Sequence, residues 1–399
     1  MKILIIQHFG GLGGGSKSAI DVATLFESLG NEVKIGIYKP DDNFIKLAKE
    51  CGVEVVDDIP QPIVFNFHNA SGFVGKTFLN YLKAQKMNND WATFLSNCDV
   101  DLIILNSCVL SPLVNIVKSC GKKCYLFIRE THRKSVLANM MFCSQVKKVD
   151  AIFYLTNFDR KKWDIKDVKS FVVPEIVTPS KSNLVINNAV ENKDCLKILF
   201  LGGFAYYKGA LDLLNAILIS SQAAKSLKIQ CTVLGDLYTE YDSQSVAFKI
   251  AKYKYVNYRN ICIKRIRQIN STKNAFVDVV GIASNISKYY KKSDLVVFPV
   301  KRVHQARPAY EAGLYKKTIV VPDFENFEEN ITDHFNGFIY KKNNLKSLSN
   351  LLIYLSNNMD IVRECGANNY EIAKAKHSQE YARTIVKSAL LSLKDNSDI

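Results

Sequence analysis

Positive side chains crowd one short stretch of this chain. From Pro299 to Pro322 it reads P-V-K-R-V-H-Q-A-R-P-A-Y-E-A-G-L-Y-K-K-T-I-V-V-P, with Lys301, Arg302 and Arg307 ahead of Glu311. Cations beside the free N–H groups of a helix start are the chemistry of anion binding, above all of a diphosphate. Pro308 suits the first helical position, because its missing N–H would be unpaired there anyway. Glu311 is expected in the first turn, where the helix dipole favours an anion. Two glycine turns look similar in kind. Gly10-Gly11-Leu12-Gly13-Gly14-Gly15 follows the apolar run Lys2 to Ile6, and Ser16 is expected to cap the helix after it. Gly202-Gly203 follows Leu196 to Leu201, with Lys208-Gly209 opening the next helix. Arg129-Glu130-Thr131-His132 also follows a strand-like run directly, which puts it at the carboxyl edge of a sheet. Asp99-Val100-Asp101 lies before a strand rather than after one, so it reads as a solvated strand entrance and not as a metal site.

These residues need strands and helices to hold them. Apolar runs at Lys2–Ile6, Glu32–Tyr38, Val53–Val56, Pro62–Phe67, Leu102–Leu105, Lys123–Ile128 and Ala151–Leu155 read as buried strands, with helices such as Gly75–Lys86 and Pro112–Ser119 between them. Residues 179–194 are rich in Ser, Asn and Lys and read as a linker. The chain then restarts: Leu196-Lys197-Ile198-Leu199 echoes Met1-Lys2-Ile3-Leu4, and strands follow at Gln230–Leu234, Val277–Val280, Leu295–Phe298 and Thr318–Val321. Ser284 is expected to cap a helix over 285–292, and helices near 345–357, 359–374 and 378–393 close the chain. The alternation predicts an α/β protein built of doubly wound sheets.

The net charge is +15, from 53 basic and 38 acidic residues, with a pI near 9.2. Such a surplus points to an anionic partner: a phosphorylated substrate, a membrane surface or a nucleic acid. The basic and aromatic stretch 246–268 fits the face of one or two helices, or an anionic membrane surface. A nucleic-acid partner explains the charge but not the strand–loop–helix order, and none is expected. No apolar run is long enough to cross a membrane, no signal peptide is visible, and the ten scattered cysteines lack zinc spacing. A cytoplasmic protein with reduced thiols, peripheral at the inner face of a membrane, is the expectation.

In order and spacing, several of these pieces resemble the GT-B glycosyltransferases, and within them the retaining family-4 group. They are the N-terminal glycine loop, Gly202-Gly203-Phe204-Ala205-Tyr206-Tyr207-Lys208-Gly209, Val280-Gly281, Ser293 to Pro299, Glu311-Ala312 and Asp333 to Ile339. The resemblance covers nearly the whole chain and is strongest from about 196 to 340. It implies two Rossmann-like doubly wound domains facing across a cleft. The expected bounds are 1–185 for the acceptor side, 186–375 for the donor side, and 376–399 for a C-terminal helix packing back toward the first domain. It implies a glycosyltransferase moving a sugar from a UDP- or GDP-linked donor to a glycan or lipid-linked acceptor, with no metal and no cofactor, as in surface polysaccharide assembly. Glu311 would hold the ribose, Lys208 the diphosphate, and Gly281, Ile282 and Ala283 would line the base. Gly13, Gly14 and Gly15 would close over the phosphates, with Gly203, His304, Ala306, Arg307 and Pro308 completing the donor site. Two departures stand out: Val303 replaces the family's first Glu, eight residues before Glu311, and Gly203 replaces an Arg five before Lys208. Arg307 is expected to supply the missing cation, with Lys301 and Arg302 as alternatives. If configuration inverts, Glu130 or His132 would be the base; retention is the preferred expectation. A nucleotide-sugar-binding protein without catalysis and a nucleotide-sugar epimerase of the same fold are the alternative readings.

Overall fold

The computed structural model describes residues 1–11, 13–62, 64, 88–131, 136–178, 195–235, 246–283, 285–305 and 307–394. Most of the expected strand at 62–67, the helix at 75–86, the linker at 179–194, and His132, Ser284 and Ala306 lie outside them. The chain divides into two units: Met1–Thr178 with Lys376–Ile399, and Pro179–Ala375.

The first unit holds a seven-stranded parallel sheet, ordered β3-β2-β1-β4-β5-β6-β7. Its strands are β1 (Lys2–Gln7), β2 (Glu32–Ile37), β3 (Glu54–Val56), β4 (Leu102–Leu105), β5 (Lys123–Ile128), β6 (Ala151–Tyr154) and β7 (Ser170–Val172). The helices between them are α1 (Gly14–Glu27), α2 (Asp42–Glu50), α3 (Asn88–Asn97), α4 (Val114–Ser119), α5 (Val136–Val146) and α6 (Asn157–Trp163). Side chains alternate across the sheet, and both faces are covered. Ile3, Ile5, Leu102 and Ile104 pack with Ala19, Ala23 and Phe26 of α1. Leu4, Ile6, Ile103 and Leu105 pack with Trp91, Leu95 and Val117 on the other face. A strand buried on both sides has no polar alternate positions, which is why these runs read as continuously apolar. Each such Ile or Leu contributes about 1.5–3 kcal/mol of burial.

The second unit repeats the plan with six strands, ordered β10-β9-β8-β11-β12-β13. They are β8 (Leu196–Leu201), β9 (Ile229–Leu234), β10 (Ala275–Gly281), β11 (Leu295–Val297), β12 (Thr318–Pro322) and β13 (Gly337–Tyr340). Its helices are α7 (Ala210–Ala223), α8 (Val246–Asn270), α9 (Ser287–Lys292), α10 (Arg307–Leu314), α11 (Leu345–Asn357) and α12 (Met359–Lys376). The basic stretch 246–268 falls on the single long helix α8. The last helix, α13 (Gln379–Lys394), belongs to the first unit, where Ala382, Val386 and Ala389 join the cluster built on α1.

Three local expectations are corrected. Ser16 does not cap α1. Gly13 is the N-cap, in extended geometry, and Ser16 lies one turn inside, its hydroxyl donating to Gly11 O at 2.6 Å. The N-cap of α9 is Ile286, without a side-chain cap. Helix α10 starts at Arg307, so Pro308 is its second residue and Glu311 stands a full turn past the start.

Backbone contact joins the loop after β8 to the loop after β11. Gly209 has φ +80°, and a Cβ there would lie 1.8 Å from Pro299 O. Lys301 N also donates to Tyr207 O at 3.0 Å. Gly209→Ala adds left-handed strain to this clash and is expected to cost about 2–4 kcal/mol of stability, read from the midpoint of a urea melt. A midpoint equal to wild type would show that the two loops separate easily.

Candidate functional site

The loops after β8 and β11 bring Lys208, Arg302 and His304 together. Lys208 closes a single 3-10 turn, Tyr206–Lys208. Its Nζ lies 2.6 Å from His304 Nε2, and over the rings of Tyr207 (5.3 Å) and Phe298 (5.2 Å). An ammonium has no lone pair, so Lys208 donates, His304 Nε2 accepts, and the imidazole proton sits on Nδ1. His304 is further fixed edge-on to Tyr207 at 5.5 Å, and its carbonyl accepts from Asn326 Nδ2 at 3.1 Å. The Arg302 guanidinium lies 4.4 Å from the Tyr207 ring centre.

The electrostatics of this cluster are one-sided. Burial, with the Arg302 charge adding in the same direction, pulls the Lys208 pKa down to about 8. Burial also lowers the Arg302 pKa. Among the described residues, no carboxylate pairs with Lys208 or Arg302. Lys301 differs: its Nζ is 2.9 Å from Asp212 Oδ2 on α7. Two cations held near each other in a partly dry place, without a counter-charge, favour an anion strongly.

Arg307 and Glu311 form a second cluster on α10. Arg307 Nε donates to Glu311 Oε1 at 2.8 Å, an i,i+4 pair. Tyr290 Oη donates to Glu311 Oε2 at 3.0 Å. The Arg307 guanidinium thus spends its Nε on the helix's own carboxylate, while Arg302, one of the two alternatives, is the loop arginine that adds to the Lys208 charge. Tyr290 was not among the residues singled out by sequence. The only signal for it was a tyrosine pair just before Ser293-Asp294.

The glycines of the second unit pack the sheet edge. Gly202 N and Gly203 N both donate to Leu234 O (3.0 and 2.9 Å), and Gly235 N donates to Gly281 O at 2.8 Å. A Cβ at Gly235 would lie 2.5 Å from Gly203 N. Gly203 therefore spends its N–H on the neighbouring strand exit, and the exits of β8, β9 and β10 are laced together. Ile282, after Gly281, is 77% exposed, and Ala283 is half-buried.

Gly13, Gly14, Gly15 and Glu130 belong to the first unit. Gly14 and Gly15 start α1, where N–H groups have no intrahelical acceptor. Glu130 is tied to the exit of β4: it accepts from Ser107 Oγ, from Cys108 N at 3.0 Å and from Arg129 N at 3.2 Å. Beside it, Arg129 forms a buried ion pair with Glu175 (2.9 Å) and donates to Asn106 Oδ1 at 2.7 Å.

Known proteins show the same architecture. HepE of Anabaena, in a structure with UDP and glucose, matches with a TM-score of 0.72 at 15% identity, over 98% of this chain and 100% of that one. TarM of S. aureus, in a structure with Fondaparinux, alpha-GlcNAc-glycerol and UDP, gives 0.70 at 14% identity, over 98% and 99%. Sucrose-phosphate synthase of Thermosynechococcus elongatus gives 0.67 at 13% identity, over 99% of each chain. Among curated proteins, none matches in sequence. Residues 183–372 match the family described as Glycosyl transferases group 1. Over those residues the chain is similar to that family, and its two parallel-sheet α/β units share the GT-B fold of these solved structures.

Proposed function

We propose that the chain transfers a sugar from a nucleotide-sugar donor to a glycan or lipid-linked acceptor, and that Lys208 and Arg302 hold the donor diphosphate. The observation that carries this reading is the unbalanced pair of cations at the carboxyl edge of the second sheet. When the anomeric C–O bond breaks, its electron pair goes to the leaving phosphate oxygen. Fixed positive charge at that oxygen lowers the barrier, because it is in place before the reaction and need not reorganise. His304 aims the Lys208 ammonium, and Glu311 accepts from the ribose hydroxyls. Two cations and the helix N-terminus supply the charge, so the reading is metal-independent, with retention of configuration. UDP is the first nucleotide to try, since HepE and TarM were both crystallised with it. Membrane association stays part of the proposal: among the described residues no helix is long and apolar enough to cross a membrane, and the net charge of +15 suits an anionic surface.

The first test is thermal stability against UDP, GDP and ADP, followed by donor consumption with the nucleotide that binds. A melt unchanged by all three would refute the donor site. Arg302→Ala is expected to weaken nucleotide binding by about 1.5–3 kcal/mol, roughly tenfold to a hundredfold. Calorimetric affinity within twofold of wild type would give its place back to Arg307.

The lowered Lys208 pKa fixes the sign of a pH effect. Below about pH 8 the ammonium is already charged in the free site. A bound diphosphate holds that proton to higher pH. Affinity should therefore be level below about pH 8 and fall above it, by up to roughly tenfold per unit, with net proton uptake on binding near pH 8. Calorimetry in buffers of different ionisation enthalpy reads the uptake. Binding that is flat from pH 7 to 9.5 would remove Lys208 from the site.

A further inference from the structure

A carboxylate that grips two ribose hydroxyls must be held in one orientation, and second-neighbour hydrogen bonds do that work. Glu311 is 9% exposed, and each of its oxygens already has a donor. Arg307 Nε, on the same helix, takes Oε1. Tyr290 Oη, from α9, takes Oε2 at 3.0 Å; its other acceptor, Pro308 O, is farther at 3.4 Å.

Tyr290 is built to stay where it is. Its side chain is fully buried, and its ring lies face to face with Tyr315, centroids 4.8 Å apart and planes 7° from parallel. Burial and the Glu311 charge push the Tyr290 pKa well up, so its hydroxyl remains a donor. A carboxylate has about four lone-pair positions. Arg307 and Tyr290 each use one, and those left over can take the two neighbouring hydroxyls of a ribose.

We propose that Tyr290 is a positioning residue for the nucleotide ribose: its buried hydroxyl fixes Glu311 Oε2 so that the remaining lone pairs meet the 2′- and 3′-hydroxyls of the donor. The inference rests on the reading of Glu311 as the ribose acceptor. It predicts a specificity, not only an affinity. The site should prefer ribonucleotides over 2′-deoxyribonucleotides, and Tyr290 should set the size of that preference.

The test uses the full chain and calorimetry with UDP, GDP and ADP, each paired with its 2′-deoxy counterpart. For the nucleotide that wild type binds best, the expected ribo/deoxy ratio is roughly tenfold or more. Tyr290→Phe keeps the ring stack and loses only the hydroxyl; the ratio should fall to about threefold or less, with most of the loss on the ribonucleotide side. Tyr315→Phe keeps the stack and Tyr290 Oη, so its ratio should stay at the wild-type value. Equal loss in Tyr315→Phe would mean general loosening of α9 and would overturn the proposal, as would an unfolding midpoint for Tyr290→Phe low enough to explain the loss. Glu311→Ala separates the two layers. If it abolishes the preference while Tyr290→Phe retains it, the Tyr290 role falls and the ribose reading stands. If Glu311→Ala leaves the wild-type ratio, or wild type binds none of the three nucleotides, both fall.

Discussion

Lys208 and Arg302 repel each other, and the fold keeps them close all the same. Loops left alone would let two like charges separate into water. Here they cannot, because Lys301 N is bonded to Tyr207 O and Gly209 lies against the Pro299 carbonyl. The loops in turn are fixed by neighbouring parallel strands, β8 and β11, whose ladder runs through Leu295–Ile198 and Val296–Leu199. The aromatic faces of Tyr207 and Phe298 soften the repulsion without cancelling it. Held repulsion of this kind is a form of preorganisation: the cost is met during folding, and an anion bound there would relieve it.

The scaffold around this pair was largely legible in the sequence. Runs such as Ile3–Ile6 and Leu102–Leu105 are apolar throughout because helices cover both faces, so strands of this kind announce themselves without an alternating pattern. The glycine turns and the restart near Leu196 gave the two doubly wound sheets. Ends of helices were less legible. Ser16 looked like a cap, but the glycine run before it lets the helix begin earlier, and the hydroxyl turns back to Gly11 O.

The candidate site was legible by stretch and not by partner. Arg307 and Glu311 stand four apart, a spacing that pairs them as soon as the segment is helical; read as a loop, Arg307 seemed available. Lys301 finds its counter-charge in Asp212, 89 positions earlier in the chain, on a helix the local sequence does not announce as a neighbour. Glu130 meets Ser107 and Cys108 only because β4 and β5 lie side by side. Tyr290 and Glu311 come together in the same way, since α9 and α10 flank β11. Apart from the Arg307–Glu311 pair within one helix, what a local reading misses is a contact made by the order of elements along the sheet.

The placement of α13 has a consequence for biosynthesis. Its Ala382, Val386 and Ala389 complete a core whose other members lie between Ile3 and Ile176. A ribosome delivers those earlier residues first, then the whole of 179–375, and only then the helix that covers them. During translation the α1 side of the first sheet must wait with part of its apolar surface uncovered, while the second unit has every residue of its own core in hand. The C-terminal half can therefore close upon emergence, and the N-terminal half finishes last, against the direction of synthesis.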